Sequence, residues 1–139
     1  MSEPILSEDA KLLAAKRGVG ELALKMGLEI LELSAERAVA TMPVSGNTQP
    51  LGLLHGGAYL VLGETLGSFA ANVWAGPDSH AVGIEISASH SKSATGGKVT
   101  GTATAVSLGK TLTVHEIAVT NESGERCSTI RITNLIRKN

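Results

Sequence analysis

One carboxylate stands among apolar residues in segment 56–74, and it is the side chain best suited to chemistry in this sequence. Glu64, Ser68 and Asn72 recur every four residues, so on a helix they form one polar stripe. If a sheet encloses that helix, the Glu64 carboxylate must be hydrogen-bonded or line a wet cleft, because uncompensated burial of its charge is costly. The plain alternative is a solvent-facing stripe. A carboxylate held in a cleft could act as a nucleophile or as a general base.

The start of the same helix could bind developing negative charge. His55, Gly56 and Gly57 lie at the loop-to-helix junction, where free backbone N–H groups and the positive end of the helix dipole favour an anion. His55 could add a donor, and Gln49 in the preceding loop could add another or hold a water. The structural alternative is that Gly-Gly is a flexible turn and His55 caps the helix.

The spacing of these two groups predicts a site shared between two chains. Glu64 lies seven residues after Gly57, which is about 10 Å along the helix axis. That is too far for Glu64 to act on a carbonyl bound at the start of its own helix. Antiparallel pairing of two such helices would bring Glu64 of one subunit to the Gly57 end of the other. We therefore predict a homodimer, in which Ser68 could orient the carboxylate or an attacking water.

A second group of residues could bind phosphates. His90, Lys92 and Ser93 end a predicted strand, and Gly109 and Lys110 lie in a later turn. Hydroxyls, ammonium groups and turn N–H groups are common anion ligands. The alternative is that these residues are only solvated strand ends.

Other chemistries find no support in the sequence. The histidines at 80, 90 and 115 share no ligand spacing with a cysteine or a close acidic partner, so we predict no metal site. His115 and Glu116 are adjacent on a strand and therefore face opposite ways. Neither a serine nucleophile elbow nor a phosphate-binding loop motif occurs.

Composition limits the class of protein and its partners. The chain of 139 residues is 42% hydrophobic and 18% charged with a net charge of -1, which is typical of a globular protein of one domain, here 1–139. The near-neutral charge and the presence of only three aromatic residues argue against nucleic acid. Cys127 is the single cysteine, and the first residues lack a signal-peptide pattern. We expect a cytoplasmic protein that does not associate with membranes.

The periodicity of apolar residues predicts the elements that hold these groups. Residues 7–26 have helical spacing weakened by Gly18 and Gly20, and residues 28–42 suggest two short strands or a bent hairpin. A long helix follows at about 56–74. Four alternating segments come after it, separated by short turns that favour antiparallel hairpins. We predict an α+β fold in which an antiparallel sheet, including a four-stranded meander, wraps around the long helix.

This set of residues resembles the hotdog thioesterases of the PaaI and 4-hydroxybenzoyl-CoA thioesterase type. The likeness runs from residue 27 to the end. It is carried by Gln49, by Leu54-His55-Gly56-Gly57-Ala58, by Glu64-Thr65-Leu66-Gly67-Ser68, by Val82-Gly83-Ile84-Glu85-Ile86 and by His90-Ser91-Lys92-Ser93.

The resemblance implies the hotdog fold and hydrolysis of an acyl-coenzyme A thioester with an aromatic or medium-sized acyl group. It implies a dimer, often paired into a homotetramer, and no cofactor besides the substrate itself. In the family, the glycine matching Gly57 polarises the thioester carbonyl through its N–H, and the carboxylate matching Glu64 is nucleophile or general base. Gln49, His55 and Ser68 match assisting positions.

Two positions depart from the family pattern. Lys92 stands where these proteins often have arginine near the nucleotide phosphates, and lysine cannot form a bidentate fork. Gly63 stands at a position that is commonly alanine. Three alternatives stay open: a hotdog enoyl-thioester hydratase or dehydratase, a catalytically silent acyl-CoA-binding dimer, and an acyl-carrier-protein thioester in place of the free coenzyme A thioester.

Overall fold

The computed structural model describes residues 3–139. The strands are β1 (Ile5–Leu6), β2 (Glu29–Leu33), β3 (Arg37–Pro43), β4 (Ser79–His90), β5 (Lys98–Leu108), β6 (Leu112–Thr120) and β7 (Arg126–Lys138). The helices are α1 (Glu8–Lys16), α2 (Glu21–Lys25) and α3 (Gly56–Ala75). Within residues 3–139, none of these helices combines the length and the apolar character that a membrane span requires.

The N-terminal segment contains two helices where the sequence predicted one. Ser7 caps α1, and its Oγ accepts a hydrogen bond from the Ala10 N–H at 3.2 Å. The helix ends at Arg17, its C-cap residue, whose φ of -135° and ψ of 138° are extended. Gly20 then takes a φ of 91°, which is available to glycine at little cost, and is the N-cap residue of α2. The expected single helix over 7–26 is therefore divided in two.

The long helix α3 confirms the prediction over 56–74 and extends it by one residue. His55 is its N-cap residue, and Gly76, with a φ of 81°, is its C-cap residue. Leu62 and Leu66 are completely buried against the sheet. The helix approaches the sheet most closely at Gly67, where an added Cβ would lie 2.3 Å from Ile132 Cγ2. The sheet thus wraps around this helix, as the hotdog prediction requires.

The strand order is β1-β2-β3-β5-β6-β7-β4. All neighbours are antiparallel except β1 and β2. The predicted four-stranded meander is therefore wrong in one respect, because β4 pairs with β7 and does not form a hairpin with β5. Residues 91–97 run instead along the loop before α3, where the Leu54 N–H donates to the Ala94 carbonyl and the Val44 N–H to the Gly97 carbonyl. This contact carries the chain across the end of the sheet.

One side of α3 is left uncovered by the sheet. Gly57 and Glu64 are exposed on this side, and Ser68 is half-buried. Strand β4 is the edge of the sheet on the same side of the molecule, and its Val82 and Ile84 are 38% and 55% exposed. An unpaired edge strand with exposed apolar side chains is a surface that proteins normally cover.

Candidate active site

The start of α3 is capped by its own histidine. His55 Nδ1 accepts a hydrogen bond from the Gly57 N–H at 2.8 Å, so the capping interpretation of His55 is correct. The Gly57 N–H, which we predicted as the donor to a carbonyl, is therefore already bonded. The Gly56 N–H has no hydrogen-bond partner within residues 3–139. A carbonyl oxygen can accept a hydrogen bond from the Gly56 N–H directly. To accept one from the Gly57 N–H, it must first displace the His55 imidazole.

A recess of about 340 Å³ adjoins this helix start and collects several predicted site residues. It is lined by Gln49, Leu53, Leu54, Gly56, Tyr59, His90, Ser91, Lys92 and Ser93. His90 Nε2 would lie only 3.1 Å from a Cβ at Gly56, so the absence of a side chain there makes room for the imidazole. His90 Nδ1 is bonded to Ser128 Oγ at 2.9 Å, which fixes the ring. The structure therefore brings Gln49, Gly56 and His90 together.

Tyr59 belongs to this recess, although the sequence did not single it out as a polar site residue. Its ring packs against the His90 ring at a centroid distance of 4.9 Å, and its hydroxyl donates to the Lys92 carbonyl at 3.5 Å. Burial, followed by the nearby Cys127 thiol, raises the pKa of Tyr59 to about 12. The phenol is thus neutral at physiological pH and serves as a donor. The only feature of the sequence that could have placed Tyr59 in this recess was its position three residues after Gly56 on the helix.

Two predicted polar residues of the recess are already engaged. Lys92 Nζ forms an ion pair with a Glu125 carboxylate oxygen. This hydrogen bond and the Glu125 charge raise the pKa of Lys92, and the same contact lowers that of Glu125. A phosphate must compete with Glu125 for Lys92. Gln49 Oε1 accepts from the Leu51 N–H, which leaves the Gln49 amide nitrogen as its donor toward the recess.

Gly109 and Lys110 lie at the other end of α3. Trp74 Nε1 donates to the Gly109 carbonyl at 2.8 Å, and Trp74 is about 25 Å from Gly57 along the helix axis. In one chain, therefore, Gly109 and Lys110 cannot share a phosphate with Lys92. A Cβ at Gly109 would lie 2.8 Å from the Leu112 carbonyl oxygen, so the tight turn between β5 and β6 is sufficient reason for this glycine.

Glu64 lines a second recess of about 270 Å³, whose other residues are Gly83, Ile84, Glu85, Ile86 and Ile132. Glu64 Oε2 lies 3.0 Å from the position of a Cβ at Gly83, so the carboxylate rests against the bare backbone of β4. Of the two surroundings expected for Glu64, a hydrogen bond or a cleft, the structure shows a cleft, because the sheet wraps around α3 but leaves this side of the helix open. The carboxylate makes no hydrogen bond within residues 3–139, and it lines an open recess instead.

The other two members of the polar stripe differ in their surroundings. Asn72 is structural, since its amide donates to the Ala81 carbonyl at 3.3 Å and accepts from the Ala81 N–H at 2.9 Å, which attaches β4 to α3. Ser68 Oγ donates to Asn134 Oδ1 on β7 at 3.4 Å. Asn134 was not among the residues predicted for the site. Its signal was a polar residue at an inward position after Ile130 and Ile132.

The two halves of the predicted site are separate in one chain. The recess at the start of α3 and the recess at Glu64 share no lining residue. Glu64 and Gly57 nevertheless lie on the same uncovered side of the helix, two turns apart. Any site that contains both groups at one carbonyl needs two chains.

A third, apolar cavity of about 270 Å³ lies between the N-terminal segment and α3. It is lined by Pro4, Leu6, Leu13, Ala14, Arg17, Gly18, Val19, Ile30, Leu33, Ser68, Phe69 and Asn72. Arg17 Nη1 donates to Asn72 Oδ1 at 3.0 Å at one side of this cavity. Ser68 lines this cavity and also belongs to the polar stripe of α3, because it is one helical turn beyond Glu64.

Comparisons with known proteins agree with this architecture. A family model described as "Thioesterase superfamily" matches residues 51–128. The proofreading thioesterase EntH of Cronobacter turicensis is 41% identical over 119 residues, which are 85% of this chain and 87% of that protein. The 1,4-dihydroxy-2-naphthoyl-CoA hydrolase of Escherichia coli is 37% identical over 120 residues, covering 86% of this chain and 88% of that protein. Among solved structures, a mutant of thioesterase PA1618 from Pseudomonas aeruginosa matches with a TM-score of 0.83 and 31% identity over 96% of both chains.

Proposed function

This chain belongs to the thioesterase superfamily, and we propose that it is a cytoplasmic acyl-coenzyme A thioesterase acting on aromatic or medium-sized acyl groups. One observation carries the proposal. Glu64 presents a carboxylate without a hydrogen-bond partner within residues 3–139, on the same uncovered side of α3 as the N–H groups of Gly56 and Gly57. Hydrolysis of a thioester needs these two groups: a base or nucleophile, and a hydrogen-bond donor to the carbonyl oxygen.

The reaction adds water across the thioester bond. Attack on the carbonyl carbon places negative charge on its oxygen, which the N–H groups at the start of α3 stabilise, and a single well-placed donor contributes about 3–4 kcal/mol. Glu64 either takes a proton from the attacking water or attacks directly and forms an anhydride that water then cleaves. In both cases the C–S bond breaks, and the departing thiolate of coenzyme A takes up a proton.

A second copy of this chain completes the site in this proposal. The unpaired edge of β4, with exposed Val82 and Ile84, offers a surface for two-fold pairing beside the uncovered side of α3. Antiparallel helices then bring Glu64 of one subunit to the start of α3 in the other. Pairing of two such dimers gives the homotetramer. Light scattering should show a dimer or a tetramer and no stable monomer.

The apolar cavity beside Ser68 is the proposed acyl site. A dry cavity of about 150 Å³ holds benzene, so a cavity of about 270 Å³ has room for a larger group such as two fused rings. The relative from Escherichia coli is named for a naphthoyl thioester, which is an acyl group of this kind. Phe69 lines the cavity, and replacing it by alanine should shift kcat/KM toward larger acyl groups.

The coenzyme A end of the substrate is assigned to the recess at the start of α3. His90, Lys92 and Ser93 supply a ring nitrogen, an ammonium group and a hydroxyl for the phosphates. Gly109 and Lys110 reach the same substrate only from another subunit.

The test compares two carboxylates of one recess. The assay measures thiol release from a panel of acyl-CoA and acyl-carrier-protein thioesters. Glu64→Gln keeps the size of the side chain and should lower kcat by about 10²–10⁴-fold. Glu85→Gln, in the same recess, should leave thiol release nearly unchanged. Retained turnover in Glu64→Gln would remove Glu64 from the mechanism. Calorimetric binding of acyl-CoA with no thiol release by the wild type over hours would instead identify a silent binding dimer.

A further inference from the structure

The apolar cavity between the N-terminal segment and α3 has a single charged residue in its wall. Its polar lining residues are Arg17, Ser68 and Asn72, and all the others are apolar or glycine. In cavities of this kind the few polar groups fix the orientation of the ligand and decide which ligand is accepted. The three polar residues therefore carry the information about the acyl group.

Two of these residues have already used their donors. The Asn72 amide nitrogen donates to the Ser68 and Ala81 carbonyls at 2.8 and 3.3 Å. Its oxygen accepts from the Ala81 N–H at 2.9 Å and from Arg17 Nη1 at 3.0 Å, so both hydrogens and both lone pairs of the amide are engaged. Ser68 Oγ donates its one proton to Asn134 Oδ1. A hydrogen-bond donor for a ligand must therefore come from Arg17.

Arg17 keeps most of its donors free and is held in place by Asn72. A guanidinium has five N–H groups, and the bond from Nη1 to Asn72 is the one side-chain hydrogen bond of Arg17 within residues 3–139. None of the ion pairs within these residues includes Arg17. Asp9 and Lys16 adjoin it in a neighbouring recess, where their opposite charges offset each other. A fixed guanidinium without a carboxylate partner is suited to bind one through two parallel hydrogen bonds.

This cation lies at the end of the cavity that is distant from the reacting bond. Asn72, which holds Arg17, is eight residues after Glu64, or about 12 Å along the axis of α3. Ser68 lies halfway between them. An acyl group whose thioester lies beside Glu64 and which passes Ser68 therefore approaches Arg17 with its far end.

We propose that Arg17 is a specificity-determining residue that binds a carboxylate at the far end of the acyl group. The preferred substrates are then monothioesters of dicarboxylic acids, with an apolar body between the two ends. The inference rests on the proposed function, since the thioester must lie beside Glu64. Arg17 is exposed, so water and salt weaken its attraction for the carboxylate relative to that of a buried ion pair.

The test compares octanedioyl-CoA with nonanoyl-CoA, whose acyl chains are equally long, although only the first ends in a carboxylate. In the wild type, kcat/KM should be about tenfold higher for octanedioyl-CoA, through a lower KM, because a hydrogen bond to a charged group is gained. Arg17→Met keeps an apolar side chain without charge and should abolish this preference. Arg17→Lys should keep part of it, since lysine has the charge but not the fork. Lys16→Met is the matched control, because Lys16 does not line the cavity, and should keep the wild-type ratio.

The same ratio of kcat/KM values in Arg17→Met and in the wild type would overturn the proposal. If Arg17 only attached the N-terminal segment to Asn72, its loss would lower turnover of both substrates alike and leave the ratio unchanged. Calorimetry with both thioesters gives a second readout that does not depend on turnover. Glu64→Gln should bind octanedioyl-CoA more tightly than nonanoyl-CoA, and the double variant Glu64→Gln/Arg17→Met should not. A preference retained in the double variant would overturn the role of Arg17, whereas failure of the proposed function would appear as undiminished turnover in Glu64→Gln.

Discussion

Mixed dimers test whether one active site is built from two chains. Glu64→Ala removes the carboxylate. Gly57→Pro removes the Gly57 N–H and, because the residue before a proline is disfavoured in helical conformation, also displaces the Gly56 N–H; proline itself is tolerated in the first turn of a helix. Each variant alone should be inactive as a homodimer. In a hybrid dimer, one of the two shared sites carries both substitutions and the other carries neither.

The fraction of wild-type activity that the mixture should recover follows from the separation of Glu64 and Gly57 in one chain. Within one chain the two groups are about 10 Å apart along α3, and their recesses share no residue. Random mixing of equal amounts of the two variants makes roughly half of the dimers hybrids, and each hybrid has one intact site of two. The mixture should therefore recover roughly a quarter of the wild-type activity. If both groups acted from the same chain, no intact site would form.

The assay unfolds and refolds the two variants together and follows thiol release from an acyl-CoA. Affinity tags on the two chains allow the hybrids to be isolated and counted. Glu64→Ala refolded with Glu64→Gln is the control, since neither chain supplies a carboxylate. Gly57→Ala is a second control because it keeps the N–H, and its added Cβ would lie 3.2 Å from His55 Nδ1. Isolated hybrids without activity would refute the shared site.

Three further outcomes concern packing, titration and capping. Gly67→Ala places a Cβ 2.3 Å from Ile132 Cγ2 and should lower the free energy of unfolding by about 1–3 kcal/mol in urea denaturation, whereas Gly18→Ala, with open space around it, should not. Tyr59 is the single tyrosine, so the ultraviolet absorbance of its phenolate should titrate at about 12 and not at 10.0. Because the folded pKa of Tyr59 is the higher one, stability should fall as pH rises from 10 toward 12, and Tyr59→Phe should abolish this fall. His55→Ala should lower stability by about 1 kcal/mol through loss of the cap, and His55→Asn should restore it.

Local patterns in the sequence determined the elements and one face of the site. The spacing of Glu64 and Ser68 placed them on one side of a helix, and the turn at Gly76 ended that helix where the structure ends it. Alternating apolar residues gave four strands with bounds close to the observed ones. These properties depend on residues within a few positions of each other, because helical and extended conformations have fixed periods. An antiparallel sheet wrapped around a long helix could therefore be predicted from the residues, and the resemblance to the hotdog thioesterases implied the particular fold.

Contacts between distant residues were decided only by the tertiary structure. The sequence did not show that β4 would pair with β7, since strand pairing depends on which partners the fold brings together. Lys92 meets Glu125 across 33 positions, and Asn134 meets Ser68 across 66. The exposure of Glu64 follows from the strand order as well, because the sheet ends at β4 and leaves that side of α3 open. Local spacing predicts which residues share a face, but only the packing of the whole chain determines what that face meets.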